Sequence, residues 1–224
     1  WKLDPGEGWV QVRVIGLNVE KIKTGFVLLK GRQRVKQSTG TRVRVDAGNY
    51  TIAVRVGGKQ NRKNITVTAG SLNQLQINAA ILTVESRTGS GTDLKTQFTV
   101  YDPADTARQG AILQGMTGDT VALVPGSYTV LVGDTTGFPL VRDVSIQPGE
   151  AQQLDARWKQ ITVPLVNEVA GTEYVSLLNH VEGAESVQWR SVTSPFLVRS
   201  GNGAVVYVPE GTYSAQTGTG APVK

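Results

Sequence analysis

The residues best suited to metal chemistry surround the one histidine of the chain. His180 stands close to Glu173, Glu182 and Glu185, and an imidazole with carboxylates can bind zinc or another transition metal. A single imidazole among acids on a loop is nevertheless a poor zinc ligand set, and "LLNHVEGAES" is typical of a strand end followed by a solvated turn. We therefore predict that no metal is bound there.

Other reaction chemistry finds little support in the sequence. The chain has no cysteine, which excludes thiolate catalysis, disulfides and cysteine-ligated metals. It contains no G-x-S-x-G motif, and "RTGSGTD" lacks the lysine of a phosphate-binding loop. Asp102 and Asp105 in "YDPADT" could form a weak calcium loop, but the EF-hand spacing is absent and an Asx turn is favoured. The sequence predicts no catalytic residue, no cofactor and no metal.

Basic residues give the best indication of a binding function. Residues 1–79 contain 14 Lys or Arg and 4 Asp or Glu, a net charge of +10, whereas residues 80–224 contain 9 and 14, a net charge of −5. The alternatives are a solvated face and a docking surface for an acidic protein, an anionic glycan, lipid head groups or nucleic acid. Nucleic acid is the least favoured, because no aromatic residues interleave with the basic ones. The candidate docking residues are Arg13, Lys30, Arg32, Arg34, Lys36, Arg42, Arg44 and Arg55.

The positions of these cations depend on strands. In "TRVRV", a period of two places Arg42 and Arg44 on one face and the valines on the other. In "KGRQRVKQ", Lys30, Arg32, Arg34 and Lys36 would share one side of an extended strand. β-Branched residues dominate such runs, Gly, Pro, Asn and Asp separate them, and no long stretch has the 3.6-residue period of a helix. We predict an all-β protein.

Three similar stretches indicate a repeated turn: "VDAGNYTI" at 45–52, "LVPGSYTV" at 123–130 and "YVPEGTYS" at 207–214. We interpret each as a tight hairpin in which a glycine adopts positive φ and a tyrosine begins the return strand. The tyrosine hydroxyl would reach a backbone group, as in a tyrosine corner. Surface tyrosines that stack on a ligand are the alternative, which we favour less. The residues concerned are Gly48, Gly126, Gly211, Tyr50, Tyr128 and Tyr213, with Pro125 and Pro209 setting φ.

The spacing of the repeats predicts three tandem units, at residues 1–79, 80–157 and 158–224. We expect each to be a small antiparallel β-sandwich of about seven strands at most. The first two continue with a V-x-x-G step, "VTAGS" and "IQPGE", which the third does not have. The third unit should therefore lack its last strand, leaving an open sheet edge unless the native chain continues or another chain supplies the strand.

These motifs resemble the carboxypeptidase-regulatory-like and PEGA-type modules. Such modules are transthyretin-like or immunoglobulin-like β-sandwiches, common as tandem accessory domains in exported bacterial proteins. The resemblance covers all three units, although each motif is short. It implies a β-sandwich architecture, an extracytoplasmic setting (periplasmic, cell-surface or secreted) and no catalytic residues.

The joints between units are short, so the row of units should be stiff. Only Asn78, Ala79 and Ala80 separate the strands at the first joint, and Trp158 could fill the second joint or belong to a core. No run of about 18 apolar residues suggests a transmembrane segment. Two functions remain: a non-catalytic rigid spacer, scaffold or assembly subunit with a protein partner or self-association, and a binding module whose basic first unit docks an anionic partner.

Overall fold

The computed structural model describes residues 5–16, 22, 24–133, 138–164, 174–179, 190–192, 196–200 and 203–218. Every regular element in these ranges is a β-strand. Strands such as β4, whose burial alternates between exposed arginines and more buried valines, show why the chain forms sheets: one face of each strand is apolar. The all-β class that the sequence predicts is confirmed. We call residues 1–79, 80–157 and 158–224 the first, second and third units.

The first unit is a sandwich of two sheets. One sheet has the order β4-β1-β7 and the other β3-β2-β5-β6. Val10, Val12 and Val14 of one sheet lie in the same buried cluster as Ile52 and Val54 of the other. The strands are β1 (Glu7–Ile15), β2 (Gly25–Lys30), β3 (Gln33–Ser38), β4 (Arg42–Asp46), β5 (Gly48–Val56), β6 (Lys59–Val67) and β7 (Leu72–Asn78).

The second unit repeats this arrangement strand for strand. A four-stranded sheet has the order β10-β9-β12-β13, and β11-β8-β14 takes the place of β4-β1-β7. The repeat explains why the sequence landmarks recur at similar steps. The strands are β8 (Ala80–Thr88), β9 (Gln97–Tyr101), β10 (Leu113–Met116), β11 (Thr120–Leu123), β12 (Gly126–Val132), β13 (Leu140–Ile146) and β14 (Ala151–Pro164).

The third unit continues the sheet of the second. Strand β14 extends past residue 157, and its second half pairs with β18, which pairs with β17, while β16-β15-β19 forms the facing sheet. Within the described part of this unit, no strand occupies the places of β6 and β7. The strands are β15 (Tyr174–Asn179), β16 (Arg190–Val192), β17 (Leu197–Ser200), β18 (Gly203–Val208) and β19 (Tyr213–Gly218).

Each of the first two units contains one parallel pair of strands. β1 pairs with β7, and β8 with the first half of β14, in parallel register. The sequence predicted antiparallel sandwiches only. The parallel pair arises because the last strand of a unit must run towards the next unit, in the same direction as the first strand, and reaches its place through a crossover between the sheets.

The glycine–tyrosine turn joins two sheets and does not close a hairpin. β4 pairs with β1, whereas β5 pairs with β2 and β6, so the two strands that flank Gly48 are not partners. The same holds for β11 and β12. The prediction of a hairpin here is wrong. A period of two and a turn glycine locate the turn, but they do not tell which strands pair across it.

The three tyrosines make the same hydrogen bond to the backbone. Tyr50 Oη donates to the carbonyl oxygen of Asp46 at 2.9 Å, and Tyr213 Oη donates to that of Pro209 at 3.0 Å. Tyr128 Oη donates to the carbonyl oxygen of Val124. Each acceptor lies four residues before its tyrosine, at the end of the strand in the facing sheet. The phenol therefore links the two sheets of its unit.

The turn glycines are required for two different reasons. Gly48 and Gly126 have φ of 140° and 151°, values that side chains with a Cβ rarely adopt. The positive φ predicted for Gly211 is wrong, since this glycine is not among the residues with φ above zero. A Cβ there would instead lie 3.2 Å from Tyr213 Cε2 and 3.3 Å from Asn179 Oδ1. Gly211 thus makes room for the ring. The two prolines differ as well, since Pro125 precedes its tyrosine by three residues and Pro209 by four.

We expect Tyr50→Phe to destabilise the first unit by about 1 kcal/mol, because it removes the hydroxyl and leaves the Asp46 carbonyl without this donor. Hydrogen exchange of the β2 and β5 amides would measure the loss. Tyr101→Phe, followed by exchange of the β9 and β12 amides of its own unit, is the control, since the hydroxyl of Tyr101 has no hydrogen bond described. Equal effects of both variants would contradict the role given to the corner hydroxyl.

Candidate functional site

The joint between the first and second units is built around the β5–β6 hairpin. Its two-residue tip, Gly57-Gly58, has φ of 49° and 77°. A Cβ on Gly57 would overlap the carbonyl oxygen of Ala122, and one on Gly58 would overlap that of Ile112. The tip therefore needs glycine both for its conformation and for its close contact with the second unit. Ala122 and Val124 of the second unit also pack against the buried cluster of the first.

An ion pair closes this joint beside the corner tyrosine of the second unit. Lys59 Nζ, next to the glycine tip, lies 2.7 Å from Asp102 Oδ2 and 4.9 Å from the centroid of the Tyr128 ring. The hydrogen bond from Lys59 lowers the pKa of Asp102 below its ordinary value of 3.8, with further contributions from the Ala104 N–H and the Lys59 charge. Burial, followed by the Asp102 charge, raises the pKa of Tyr128. The carboxylate and the neutral phenol are thus the forms present at neutral pH.

The joint between the second and third units is a continuous strand. Residues 151–158 of β14 pair with β8, and residues 159–164 pair with β18. The predicted boundary after residue 157 lies inside this strand. No flexible linker is present in this segment, because it is hydrogen-bonded without interruption, first to β8 and then to β18, within one five-stranded sheet.

Trp158 fills the second joint and belongs to the core at the same time. It is 1% exposed, its Nε1 donates to Ser86 Oγ at 2.8 Å, and its ring centroid lies 4.5 Å from that of Phe196. One buried cluster accordingly runs through the second and third units. Trp158 therefore both fills the joint and belongs to a core, the two alternatives that the sequence left open. Nearby, Phe138 contacts the corner tyrosine Tyr213 edge-on at 5.2 Å, and burial raises the pKa of Tyr213 to about 12.

One position recurs beside every corner tyrosine. Asn179 is the registered partner of Tyr213. Lys30 follows Leu29, the last residue of β2 that pairs with β5, and Asp102 follows Tyr101, the last residue of β9 that pairs with β12. Continuing each register by one residue places Lys30 opposite Tyr50 and Asp102 opposite Tyr128. Lys30 Nζ is 5.1 Å from the centroid of the Tyr50 ring and donates to the Ala47 carbonyl at 3.1 Å. We call Lys30, Asp102 and Asn179 the corner-facing residues.

The eight candidate docking residues do not form one surface. Arg13, Arg42 and Arg44 lie on the outer face of the three-stranded sheet, where Arg44 Nε is 3.3 Å from Glu7 Oε2. Arg34, Lys36 and Arg55 belong to the facing sheet. The first unit thus divides these cations between two opposite faces, since the inner faces of both sheets contribute to the buried cluster.

The predicted single row of Lys30, Arg32, Arg34 and Lys36 is wrong. The chain reverses at Gly31, whose φ is 56°, so Lys30 ends β2 and Arg34 lies on β3, with Arg32 in the turn between them. Sequence alternation alone does not reveal a reversal inside a run that is basic throughout.

Arg62 is a residue that the sequence reasoning missed. Arg62 on β6 pairs with Ala53 on β5. Ala53 pairs with Val27 on β2, and Val27 pairs with Lys36 on the edge strand β3, so all four residues lie in one row across the sheet. Together with Arg34 and Arg55, Arg62 shares the outer face of the four-stranded sheet. The signal was present in the sequence, because residues 25–38 and 48–67 contain eight Lys or Arg and no Asp or Glu. We call Arg34, Lys36, Arg55 and Arg62 the basic face.

A concavity of about 480 Å³ opens at the end of this sheet nearest the corner turn. Its lining includes Leu29 and Lys30 from β2 and four polar residues that pair across β5 and β6, namely Asn49, Thr51, Asn64 and Thr66. Thr51 Oγ1 donates to Asn64 Oδ1 at 3.0 Å, and Thr66 Oγ1 donates to Asn49 Oδ1 at 2.8 Å. These bonds fix the two amide side chains on the sheet surface.

The other candidates for chemistry lie partly outside and partly within the described residues. Glu173, His180, Glu182 and Glu185 lie outside the described residues. Asp105 accepts hydrogen bonds from the backbone N–H groups of Gly110 at 2.7 Å and Gln109 at 3.3 Å, as expected for a carboxylate that shapes its own loop. In the ranges that the structure describes, no group of His, Cys, Asp and Glu could hold a metal ion. The same ranges contain no helix with the length and apolarity needed to cross a membrane.

Comparison with known proteins identifies no family. No protein family matches the chain, and neither does any curated protein. Among solved structures, the chain is similar to the Bacillus anthracis TIE protein (14% identity, 97% of this chain and 46% of that one, TM-score 0.30). It is also similar to GBS52, the minor pilin of Streptococcus agalactiae (12%, 72% and 100%, TM-score 0.31), and to the pilus adhesin SpaC from Lactobacillus rhamnosus GG (12%, 93% and 36%, TM-score 0.30). The chain spans less than half the length of the TIE protein, and scores this low support no argument about function.

Asp102→Asn should weaken the first joint, since it removes the charge that Lys59 neutralises. The pKa of Asp102 is lower in the folded chain, so the ion pair contributes fully above pH 3.8 and its contribution is lost as the pH falls through the folded pKa. The difference in unfolding free energy between wild type and variant should therefore shrink in that acidic range. Urea unfolding over a pH series measures it.

Asp93→Asn provides the control for this prediction. It breaks the 3.2 Å pair between Asp93 and Arg87, which lies within the second unit. Amide exchange at Gly57 and Gly58 should increase in Asp102→Asn and stay unchanged in Asp93→Asn. An unchanged exchange rate in both variants would show that the ion pair does not hold the joint.

Proposed function

We propose that this chain is a non-catalytic structural protein, in which tandem β-sandwich units form a rigid spacer or scaffold. The observation that carries the proposal is the construction of the two joints. A glycine tip and an ion pair fix the first, and an unbroken strand with a buried tryptophan fixes the second. Units joined for flexible capture of a partner would need a mobile linker, and short ordered joints serve to hold a distance.

The units are proposed to end at residues 79 and 157, with a third from 158 to 224. We further propose that they belong with the carboxypeptidase-regulatory-like or PEGA-type modules and act outside the cytoplasm. The support is the recurrence of the glycine–tyrosine turn in "VDAGNY", "VPGSY" and "VPEGTY" together with the repeated strand order.

The absence of cysteine allows a direct test of rigidity, because spin labels can be attached to introduced cysteines alone. Gln37 and Arg142 are exposed positions in the first and second units and suit the labels. We expect a narrow distribution of label distances by pulsed electron resonance. Gly57→Ala should broaden it, because the added methyl group overlaps the Ala122 carbonyl.

Gly31→Ala is the matched control for Gly57→Ala. Gly31 occupies the same position in a two-residue hairpin turn, with φ of 56° against 49°, but an added Cβ has nothing within 4 Å. Both variants bear the same backbone strain, so only Gly57→Ala should change the distances. A broad distribution in the wild-type chain would refute the rigid spacer.

A further inference from the structure

We propose that the basic face of the first unit binds an anionic polysaccharide, which lies across the four-stranded sheet. This goes beyond the spacer function, since it assigns a ligand to one unit of the row. The argument rests on the charges of the face, on the spacing of its cations and on the polar groups between them.

The basic face has an excess of positive charge that the described residues around it do not neutralise. Its sheet contains no acidic residue, and the described acids of the first unit, Glu7 and Asp46, belong to the other sheet. Elsewhere in the chain Arg44, Lys59, Arg87 and Arg157 form ion pairs. No ion pair is described for Arg34, Lys36, Arg55 or Arg62. Cations used only for solubility are usually mixed with anions, whereas these form a field of one sign.

The cations lie on both edge strands of the sheet and, at Arg55, on the inner strand β5, with a low strip beside Arg55. Arg34 and Lys36 lie on the edge strand β3, and Arg62 lies on the opposite edge strand β6. Three strand spacings separate the edges, about 14 Å. Between Lys36 and Arg62 the register places Val27 and Ala53, which are small side chains. An extended polymer can therefore contact the sheet surface while its anionic groups reach cations on both sides.

The polar residues of the concavity favour a sugar over other polyanions. Asn49, Thr51, Asn64 and Thr66 present uncharged amides and hydroxyls, which suit the many hydroxyl groups of a polysaccharide. No tryptophan, phenylalanine or exposed tyrosine lies on the basic face for bases to stack on. The exposed large apolar residues of the described chain, Leu72 and Met116, lie off this face, so it lacks the apolar contacts that would insert into a lipid surface.

The test measures binding of the full chain to two anionic probes, polygalacturonate for carboxylate groups and phosphorylated dextran for phosphate groups. Unmodified dextran and poly-L-glutamate serve as the neutral sugar and the anionic non-sugar. We expect binding to at least one anionic glycan, weakening as salt is added, with no binding to dextran and weaker binding to poly-L-glutamate. Which of the two glycans binds identifies the anionic group.

Two pairs of substitutions locate the site. Arg34→Ser with Arg62→Ser should weaken glycan binding by at least about tenfold, because two charge-assisted contacts are lost. Arg13→Ser with Arg42→Ser removes the same charge from the opposite face and should leave binding within about twofold. Asn64→Ala should weaken glycan binding and leave poly-L-glutamate binding unchanged. Circular dichroism checks that each variant is folded.

Several results would overturn the proposal. The proposal fails if the chain binds neither anionic glycan. It also fails if the two double arginine variants lose glycan binding equally, because that would indicate a response to net charge alone. Tighter binding of poly-L-glutamate would point to an acidic protein, and salt-sensitive self-association in light scattering that competes with the glycan would point to a second copy of this chain. None of these results affects the label distances that test the spacer.

Discussion

The hydrogen bond between each corner tyrosine and a backbone carbonyl is the contact on which the architecture depends. It links the ends of two strands that belong to different sheets, so it closes the sandwich where no ladder of backbone bonds can. In the second and third units the same ring also contacts a residue of the preceding unit, Lys59 or Phe138. One side chain therefore contributes to the stability of its own unit and to the joint with its neighbour.

The sequence predicted the features that depend on local chemistry. Alternation of apolar and polar residues is enough to predict strands, and the recurrence of glycine and tyrosine at fixed spacing is enough to locate the corner. It was not enough to predict pairing, because β4 and β5 flank a tight turn and still join different sheets. It also placed Lys30 in a row with Arg34, although the glycine between them reverses the chain.

The membership of the basic face required the register of the sheet. Arg62 and Lys36 lie in one row across the sheet because Ala53 and Val27 stand between them in register. The paired residues in this row are 9 or 26 positions apart in the sequence, so no local pattern connects them. What the sequence did contain was the complete lack of acids in the two segments that form this sheet. Basic side chains on both of its edge strands have a second effect, since like charges disfavour pairing of these edges with each other in neighbouring copies.

The corner-facing residues differ in chemistry from unit to unit: a cation at Lys30, an anion at Asp102 and a neutral amide at Asn179. The glycine hairpin of the first unit carries Lys59, which matches only the anion. If the first unit preceded a copy of itself, Lys59 would face the ammonium group of Lys30. If it preceded the third unit, Lys59 would face the uncharged amide of Asn179. The match between Lys59 and Asp102 therefore favours the observed order of the first two units, although the folds themselves would tolerate another order.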